Sequence, residues 1–566
     1  MAPPARTRSV KAEPTHVEPA LSAGDIRRRA ASGAALLTAK GIFLQVLGLL
    51  STIVVARLLL PNQLGLYAIA VTISTFLLML GSGVGMGAAL IRRPAAPEHA
   101  DLRAFVALQL IVSSVLLGVV ILATRPFGLV GQLTAVMVVS APITAFGGAS
   151  LVVAERQLLY KRIASAETAA MVVYYVWTVV TVISGWGLWG LATATVARAV
   201  VGTALIIALA PTGVIWPRYD RLRIRAMLGI GLRVQVVDFV NALRDQILVL
   251  GAAIIGSVSI VAYWGLILRA LQAPQTLLLT LVRVSFPAMS RTRSAGGDPA
   301  NMLPRLLAAA TILTGTLLAP LAAAPALVPL LFGDKWSPAA DALVLACLAV
   351  VIHTPVMIAG QSYLWTAGDA KSPLRASIAE AVVVVAVGLP LVPIVGVLGL
   401  AIGGVACAAA GTAVLARAVD RQTHVHVLRH IGVPVVAWMI AAGAAWGCAQ
   451  GPGPLAIRAA LSSCVAIGLY FGLLFLTRRE LMLALAREYW PWIRRRVLRR
   501  GAAPVTISAQ ASHPSQQQRK AAPADRRRSN DDWPDDGQVV PRPRTDARVG
   551  APPRRSRSTD RVSREH

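Results

Sequence analysis

Residues 34–477 are almost continuously apolar, broken only by short turns, while residues 1–33 and 478–566 are polar and basic. A helix needs about 20 apolar residues to cross the hydrocarbon of a bilayer. The central stretch therefore has room for about fourteen membrane spans joined by short loops. The expected spans are 34–56, 64–90, 104–123, 130–152, 166–185, 187–211, 226–254, 258–288, 304–332, 338–364, 374–394, 396–416, 431–449 and 457–476. The apolar runs are long and do not alternate, which excludes a barrel of short alternating strands. The fold class is an all-α polytopic membrane protein. The first apolar run follows a basic tail and is too long for the core of a signal peptide, so it reads as the first span.

Basic residues set the expected orientation. Alternate loops carry eighteen lysines and arginines, among them Arg92, Arg93, Arg156, Lys161, Arg221 and Arg417, whereas the opposite loops carry only Arg57, Arg125, Lys335 and Arg458. Positive loops stay on the cytoplasmic side. This predicts a plasma-membrane protein with both termini cytoplasmic. The net charge of +29 is thus accounted for by inner loops and tails against anionic lipid. No nucleic-acid recognition fold is visible, so nucleic acid is not an expected partner. Cys347, Cys407, Cys448 and Cys464 all fall within spans and form no CxxC pair. They read as small packing residues, and neither a metal site nor a cofactor is expected.

The seventh and eighth spans depart from the apolar pattern. Residues 226–290 carry Arg233, Asp238, Arg244, Asp245, Arg269 and Arg283. A charge at membrane depth costs about 2.5–3.5 kcal/mol on insertion scales. Six such charges must line an interior cavity or pair with one another. On a helical wheel with Arg233 at zero, Arg244 falls at about 20°, Asp245 at about 120° and Asp238 at about 140°, opposite an apolar face. Arg269 and Arg283 share a face of the eighth span, in which Pro274 and Pro287 predict interruptions. Arg233, Arg269 and Arg283 would form a cationic ladder rising from the inner leaflet, with Arg244 nearer the outer side. Two readings of these charges compete. In one, Arg–Asp pairs merely fix helix packing. In the other, the arginines bind an anionic group in transit, while Asp238 and Asp245 hold them apart when it is absent. Four arginines against two aspartates favour the second. Guanidinium suits phosphate because its fork binds two oxygens and keeps its charge. Glu380, two turns into the eleventh span, is a candidate coupling carboxylate or ion-pair partner. His353 reads as a hydrogen-bonded packing residue, and Lys40 and Arg198 as cations that snorkel to an interface.

Gly41–Gln45 opens a pair of spans in the first half as Gly231–Gln235 does in the second, with Tyr67 and Tyr263 after the first span of each pair. The expected organisation is a tail at 1–33, a six-helix lobe at 34–211, a second at 212–416, and an appended helix pair at 417–477. An interfacial basic segment at 478–500, interrupted by Pro491, and a disordered tail at 501–566 complete it. Two lobes about an axis along the membrane normal are a common transporter plan.

Four motifs carry a family resemblance. They are Arg57-Leu-Leu-Leu-Pro61 with Leu64-Gly-Leu-Tyr67, the glycine-rich run Gly83 to Leu90, Phe286-Pro287 through Arg291, and Leu331-Phe332-Gly333-Asp334-Lys335-Trp336. In order and spacing the chain resembles the oligosaccharide flippases. These form the polysaccharide-transporter branch of the multidrug/oligosaccharidyl-lipid/polysaccharide exporter superfamily. The resemblance implies translocation of polyprenyl-pyrophosphate-linked oligosaccharide from the inner to the outer leaflet. It implies alternating access between two lobes around a cationic cavity, and a place among polymerase and glycosyltransferase machinery. A multidrug exporter of the same superfamily would need intramembrane carboxylates to outnumber arginines. A membrane polysaccharide-assembly enzyme would need a large outer loop with acid–base residues, and the outer loops here are short. A non-transporting scaffold would gain nothing from buried charge.

Overall fold

The computed structural model describes residues 23–81, 97–225 and 249–498, together with Gly87, Leu90 and Met227. The first half contains α1 (Ala23–Leu58), α2 (Pro61–Gly81), α3 (His99–Ala123), α4 (Gly128–Val138), α5 (Ser140–Arg156), α6 (Tyr160–Ile183) and α7 (Leu188–Leu209). The second contains α8 (Val258–Ser294), α9 (Leu303–Leu318), α10 (Ala324–Phe332), α11 (Pro338–Val356), α12 (Ser362–Ala367), α13 (Lys371–Val383), α14 (Leu389–Val395), α15 (Val397–Gln422), α16 (Val427–Ala449) and α17 (Leu455–Leu498). Among the described residues twelve segments are long and apolar enough to cross a membrane. The 37-residue α8 is long enough as well and packs between the halves, against α1 and α2 on one side and α9 and α11 on the other. The protein is an all-α polytopic membrane protein, as the apolar pattern predicts.

The packing follows from where the driving force lies. Lipid tails are as apolar as leucine, so membrane helices associate through close backbone approach and prefer small residues between them. Fully buried positions are accordingly rich in alanine, for example Ala56, Ala70, Ala104, Ala192, Ala322 and Ala445. Large apolar side chains such as Val115, Leu122, Ile183, Ile394 and Leu476 point outward. Gly403 lies so close to Gly388 that an added Cβ would sit 2.4 Å from the latter's Cα, which clamps α15 to the segment before α14.

Two expectations change. Pro274 and Pro287 lie inside an unbroken helix, because neighbouring helices hold it in place after each proline removes a single donor. Likewise α17 runs through Pro491 to Leu498; its one non-helical residue is Arg478, at φ −138° and ψ 40°, where the basic segment begins. The repeat at Gly231–Gln235, most of the run Gly83 to Leu90 and the terminal tails lie outside the described residues.

At one end of the bundle the halves join by reciprocal capping. The last four carbonyls of a helix lack partners within it. Arg57, at the end of α1, donates from Nε to the Leu331 carbonyl at 2.9 Å and from Nη2 to the Leu330 carbonyl, capping α10. Gly333, at φ 98°, then turns the chain back, a conformation that favours glycine. This brings Lys335 Nζ to the Arg57 carbonyl at 2.9 Å and Trp336 Nε1 to the Ala56 carbonyl at 2.9 Å, capping α1. Tyr263 of α8 donates to the Lys335 carbonyl at 3.4 Å and meets the Trp336 ring edge-to-face. Gly65 fits against this end because a Cβ there would lie 2.0 Å from the Val258 carbonyl oxygen.

Candidate functional site

Arg269 sits on α8 twelve residues into the helix, about 16 Å from its start. Its neighbours in sequence are apolar, and its guanidinium is exposed to a cavity of about 280 Å³ between α8 and helices α1, α2 and α6. Arg269 Nη1 donates to Thr52 Oγ1 at 3.2 Å. Among the described residues it has no carboxylate partner. The walls combine hydroxyls (Ser51, Thr52, Thr178) with the rings of Tyr67, Tyr174, Trp264 and Trp336. Trp336 belongs both to this wall and to the capped end described above. The cavity can therefore take an anion against Arg269, with aromatic faces and hydroxyls around it.

The hydroxyls of Tyr67 and Tyr174 lie 3.1 Å apart. They stand between this cavity and a larger chamber of about 750 Å³ within the first half, whose walls also include both tyrosines. The chamber contains Lys40, Glu167 and Arg198. Lys40 is ion-paired with Glu167. This corrects the reading of Lys40 and Arg198 as residues that snorkel to an interface: both face an internal chamber. Arg198 is halfway along α7, about 16 Å from Leu209 at its end, too deep to reach either surface by extending its side chain.

Of the other expected site residues, Arg233, Asp238, Arg244 and Asp245 lie outside the described residues. Arg283 is carried by α8, fourteen residues beyond Arg269 and thus about 21 Å along the axis. The two positions are therefore too far apart to form one cluster. Glu380 lies on α13 with its carboxylate against Gly411, where a Cβ would be 1.9 Å from Oε1. It is 3.5 Å from His353 Nε2, and Thr412 Oγ1 is 3.5 Å from His353 Nδ1. Each member of the pair precedes a wider helical turn, Met357–Gln361 or Val384–Gly388. Such turns recur at functional sites.

The sequence reading missed Thr52, Tyr174 and Tyr175, which line the Arg269 cavity, and Glu167, which lines the chamber. The tyrosines and threonine carry no signal in an apolar helix. Glu167 did, by the criterion that marked Arg269: an ionisable residue inside a membrane-length run.

The sequence from residue 54 to 341 matches the family of polysaccharide biosynthesis proteins. No curated protein matches the chain by sequence. The fold is similar to that of a lipid II flippase, MurJ, in an inward closed conformation, at TM-score 0.59 and 14% identity, covering 79% of this chain and 100% of that one. It is also similar to an inward-facing multidrug resistance MATE transporter of the MOP superfamily, at TM-score 0.47 and 18% identity, covering 68% of this chain and 96% of that one. The match over half of its length shows that the chain belongs to the polysaccharide biosynthesis protein family.

Proposed function

We propose that the protein is a flippase that moves polyprenyl-pyrophosphate-linked oligosaccharide across the plasma membrane by alternating access, without covalent chemistry. The observation that carries this reading is Arg269: a guanidinium at mid-membrane depth, open to a cavity between the two halves, with only Thr52 as a partner among the described residues. A permanent cation kept there at a cost of several kcal/mol is a functional feature by default. Pyrophosphate is the ligand that matches its geometry and charge. The cationic wall opposes the competing reading, an exporter of organic cations. Arg233, Arg244 and Arg283 extend the same path as further pyrophosphate contacts, and Asp238, Asp245 and Glu380 serve in charge pairing or coupling. Cargo enters from the cytoplasmic leaflet and leaves at the end closed by Arg57 and Trp336, with both termini cytoplasmic and the basic segments on anionic lipid. Glycosyltransferases and a polymerase supply and consume the cargo.

The test is reconstitution into liposomes and measurement of leaflet exchange of a fluorescent polyprenyl-pyrophosphate glycan. Arg269→Ala should slow exchange tenfold or more, equivalent to about 1.4 kcal/mol of lost stabilisation. Arg269→Lys should be intermediate, because lysine keeps the charge and loses the fork. Exchange at the wild-type rate in both Arg269→Ala and Arg283→Ala would refute the ladder. Absence of exchange by the intact protein would refute the flippase.

A further inference from the structure

The chamber inside the first half has a composition that the flippase reading does not use. Its charged residues are Lys40, Arg198 and Glu167. Lys40 and Glu167 satisfy each other, so the chamber keeps a single net positive charge on Arg198. Among the described residues Arg198 makes no ion pair, and it lies at mid-span, where an unmatched cation is costly. The serine and threonine hydroxyls that line the chamber are already committed as donors. Thr75 donates to the Val71 carbonyl at 2.8 Å, Ser140 to Met137 at 2.6 Å, Thr144 to Ala141 at 2.9 Å, Thr195 to Ala192 at 2.7 Å and Thr203 to Ile143 at 3.2 Å. A hydroxyl has one proton and two lone pairs. What these walls offer a ligand is therefore a set of acceptors, and they call for a ligand rich in donors. At about 750 Å³ the chamber is within the size range of small-molecule pockets.

A polyhydroxylated ligand with one negative charge satisfies all of this. We propose that the chamber receives a sugar-acid residue of the cargo's glycan, its carboxylate bound by Arg198 and its hydroxyls donating to the threonine and serine oxygens. The proposal rests on the flippase reading and adds to it that the glycan is acidic. Pyrophosphate fits less well, since it carries more than one charge and no hydroxyl donors. The tyrosine pair is a wall common to the chamber and the Arg269 cavity, and parting its hydroxyls would let one cargo occupy both, with its pyrophosphate at Arg269 and its acidic sugar at Arg198.

The experiment uses the full-length protein in detergent and three soluble probes: a tetrasaccharide with one glucuronate, the same compound with that carboxylate reduced to an alcohol, and inorganic pyrophosphate. The wild type should bind the acidic tetrasaccharide at least tenfold more tightly than the reduced one. Arg198→Gln should abolish that difference, with Arg198→Lys keeping part of it. Pyrophosphate affinity should fall in Arg269→Gln and not in Arg198→Gln. Equal wild-type affinity for the two tetrasaccharides overturns the proposal, and this comparison needs no variant that could misfold. Loss of pyrophosphate binding in Arg198→Gln also overturns it, since the chamber would then be a phosphate site. Liposome exchange separates the two claims. If neutral and acidic lipid-linked glycans move at equal rates and Arg198→Gln changes neither, the flippase stands and the acidic-sugar assignment falls. If nothing moves but the tetrasaccharides are still discriminated, the flippase falls and the chamber assignment stands.

Discussion

Replacing Trp336 by phenylalanine tests whether reciprocal capping holds the two halves closed at one end. The indole Nε1–H donates to the Ala56 carbonyl at 2.9 Å, and Trp336 is 1% exposed. Phenylalanine keeps the aromatic edge that meets Tyr263 but removes the donor. In the closed arrangement the Ala56 carbonyl is then left without that bond at a helix end. An unsatisfied buried acceptor costs about 1–3 kcal/mol. In an open arrangement the same carbonyl meets water, so the penalty falls on the closed state alone. The ratio of open to closed molecules should rise about 5- to 150-fold, which is what such an energy means for a two-state equilibrium. Spin labels at Asn62 and Ser337, both exposed at this end, report the separation by pulsed dipolar spectroscopy in liposomes. The wild type should give a short, narrow distribution, and Trp336→Phe a second, longer population. Arg57→Ala, which frees the Leu330 and Leu331 carbonyls of α10, should do the same. Identical distributions in all three proteins would refute the reasoning, because the capping bonds would then hold nothing that packing does not hold already.

Gly65→Ala places a methyl group 2.0 Å from the Val258 carbonyl oxygen. Overpacking of that kind costs about 1–3 kcal/mol, and the same spin-label pair should show the longer population increase. Asp369 accepts from the Lys371 and Ser372 amides at 3.1 and 3.0 Å, from Ser372 Oγ at 2.6 Å and from Gln422 Nε2 at 2.9 Å. The hydrogen bonds from Ser372 hold its carboxyl below the usual carboxylate range. Its contribution is therefore complete above that range and is lost as pH falls through the lowered value. Asp369→Ala should cost about 1 kcal/mol at neutral pH, as loss of a helix cap does, and thermal unfolding in detergent should show the gap to wild type closing as pH falls below the usual carboxylate range. Arg223 bridges Glu98 at 2.9 Å, Asp101 at 2.7 Å and Asp220 at 3.3 Å. Because the Asp101 side chain is largely buried, Arg223→Ala should cost about 1–3 kcal/mol, read as a lower unfolding temperature, with an intermediate loss in Arg223→Lys, which keeps the charge and loses the fork.

The membrane class was legible because one physical constraint dominates it. Only an apolar run of sufficient length crosses a bilayer, and the expected spans from 104–123 to 457–476, other than 226–254 and the charged 258–288, reappear within a few residues among the segments from His99–Ala123 to Leu455–Glu480. Arg269 was legible for the same reason in reverse: a charge where only apolar residues belong must have an interior to face. Lys40 and Arg198 were misread because snorkelling depends on depth, and depth depends on where a helix begins. The start of α7 at Leu188, and its end beside Arg162, whose Nη1 donates to the Leu209 carbonyl at 3.0 Å, place Arg198 at the middle. Reciprocal capping was not legible at all. The motifs around Arg57 and Trp336 stood out as family-like text separated by more than 270 residues. Only the fold shows that each supplies donors for the other's helix end. Conversely, Pro274 and Pro287 gave a false signal, since a proline's lost bond is local while the packing that keeps α8 continuous is not.

These features meet on one helix. Along α1, Lys40 lies in the chamber, Thr52 touches Arg269, and Ala56 and Arg57 take part in the capped end. From Lys40 to Arg57 is about 25 Å of continuous helix. A rigid helix cannot shift at Thr52 and stay in register at Arg57. Under the proposed cycle, an anion at Arg269 competes with Thr52 for the guanidinium, and an acidic sugar at Arg198 fills the chamber that Lys40 borders. Both events act on α1, and α1 carries the carbonyls that Lys335 and Trp336 cap. A ligand shifts a conformational equilibrium only by its differential affinity for the two states. Here that difference can arise at the two cationic sites and be expressed at the capped end, with α1 as the physical connection.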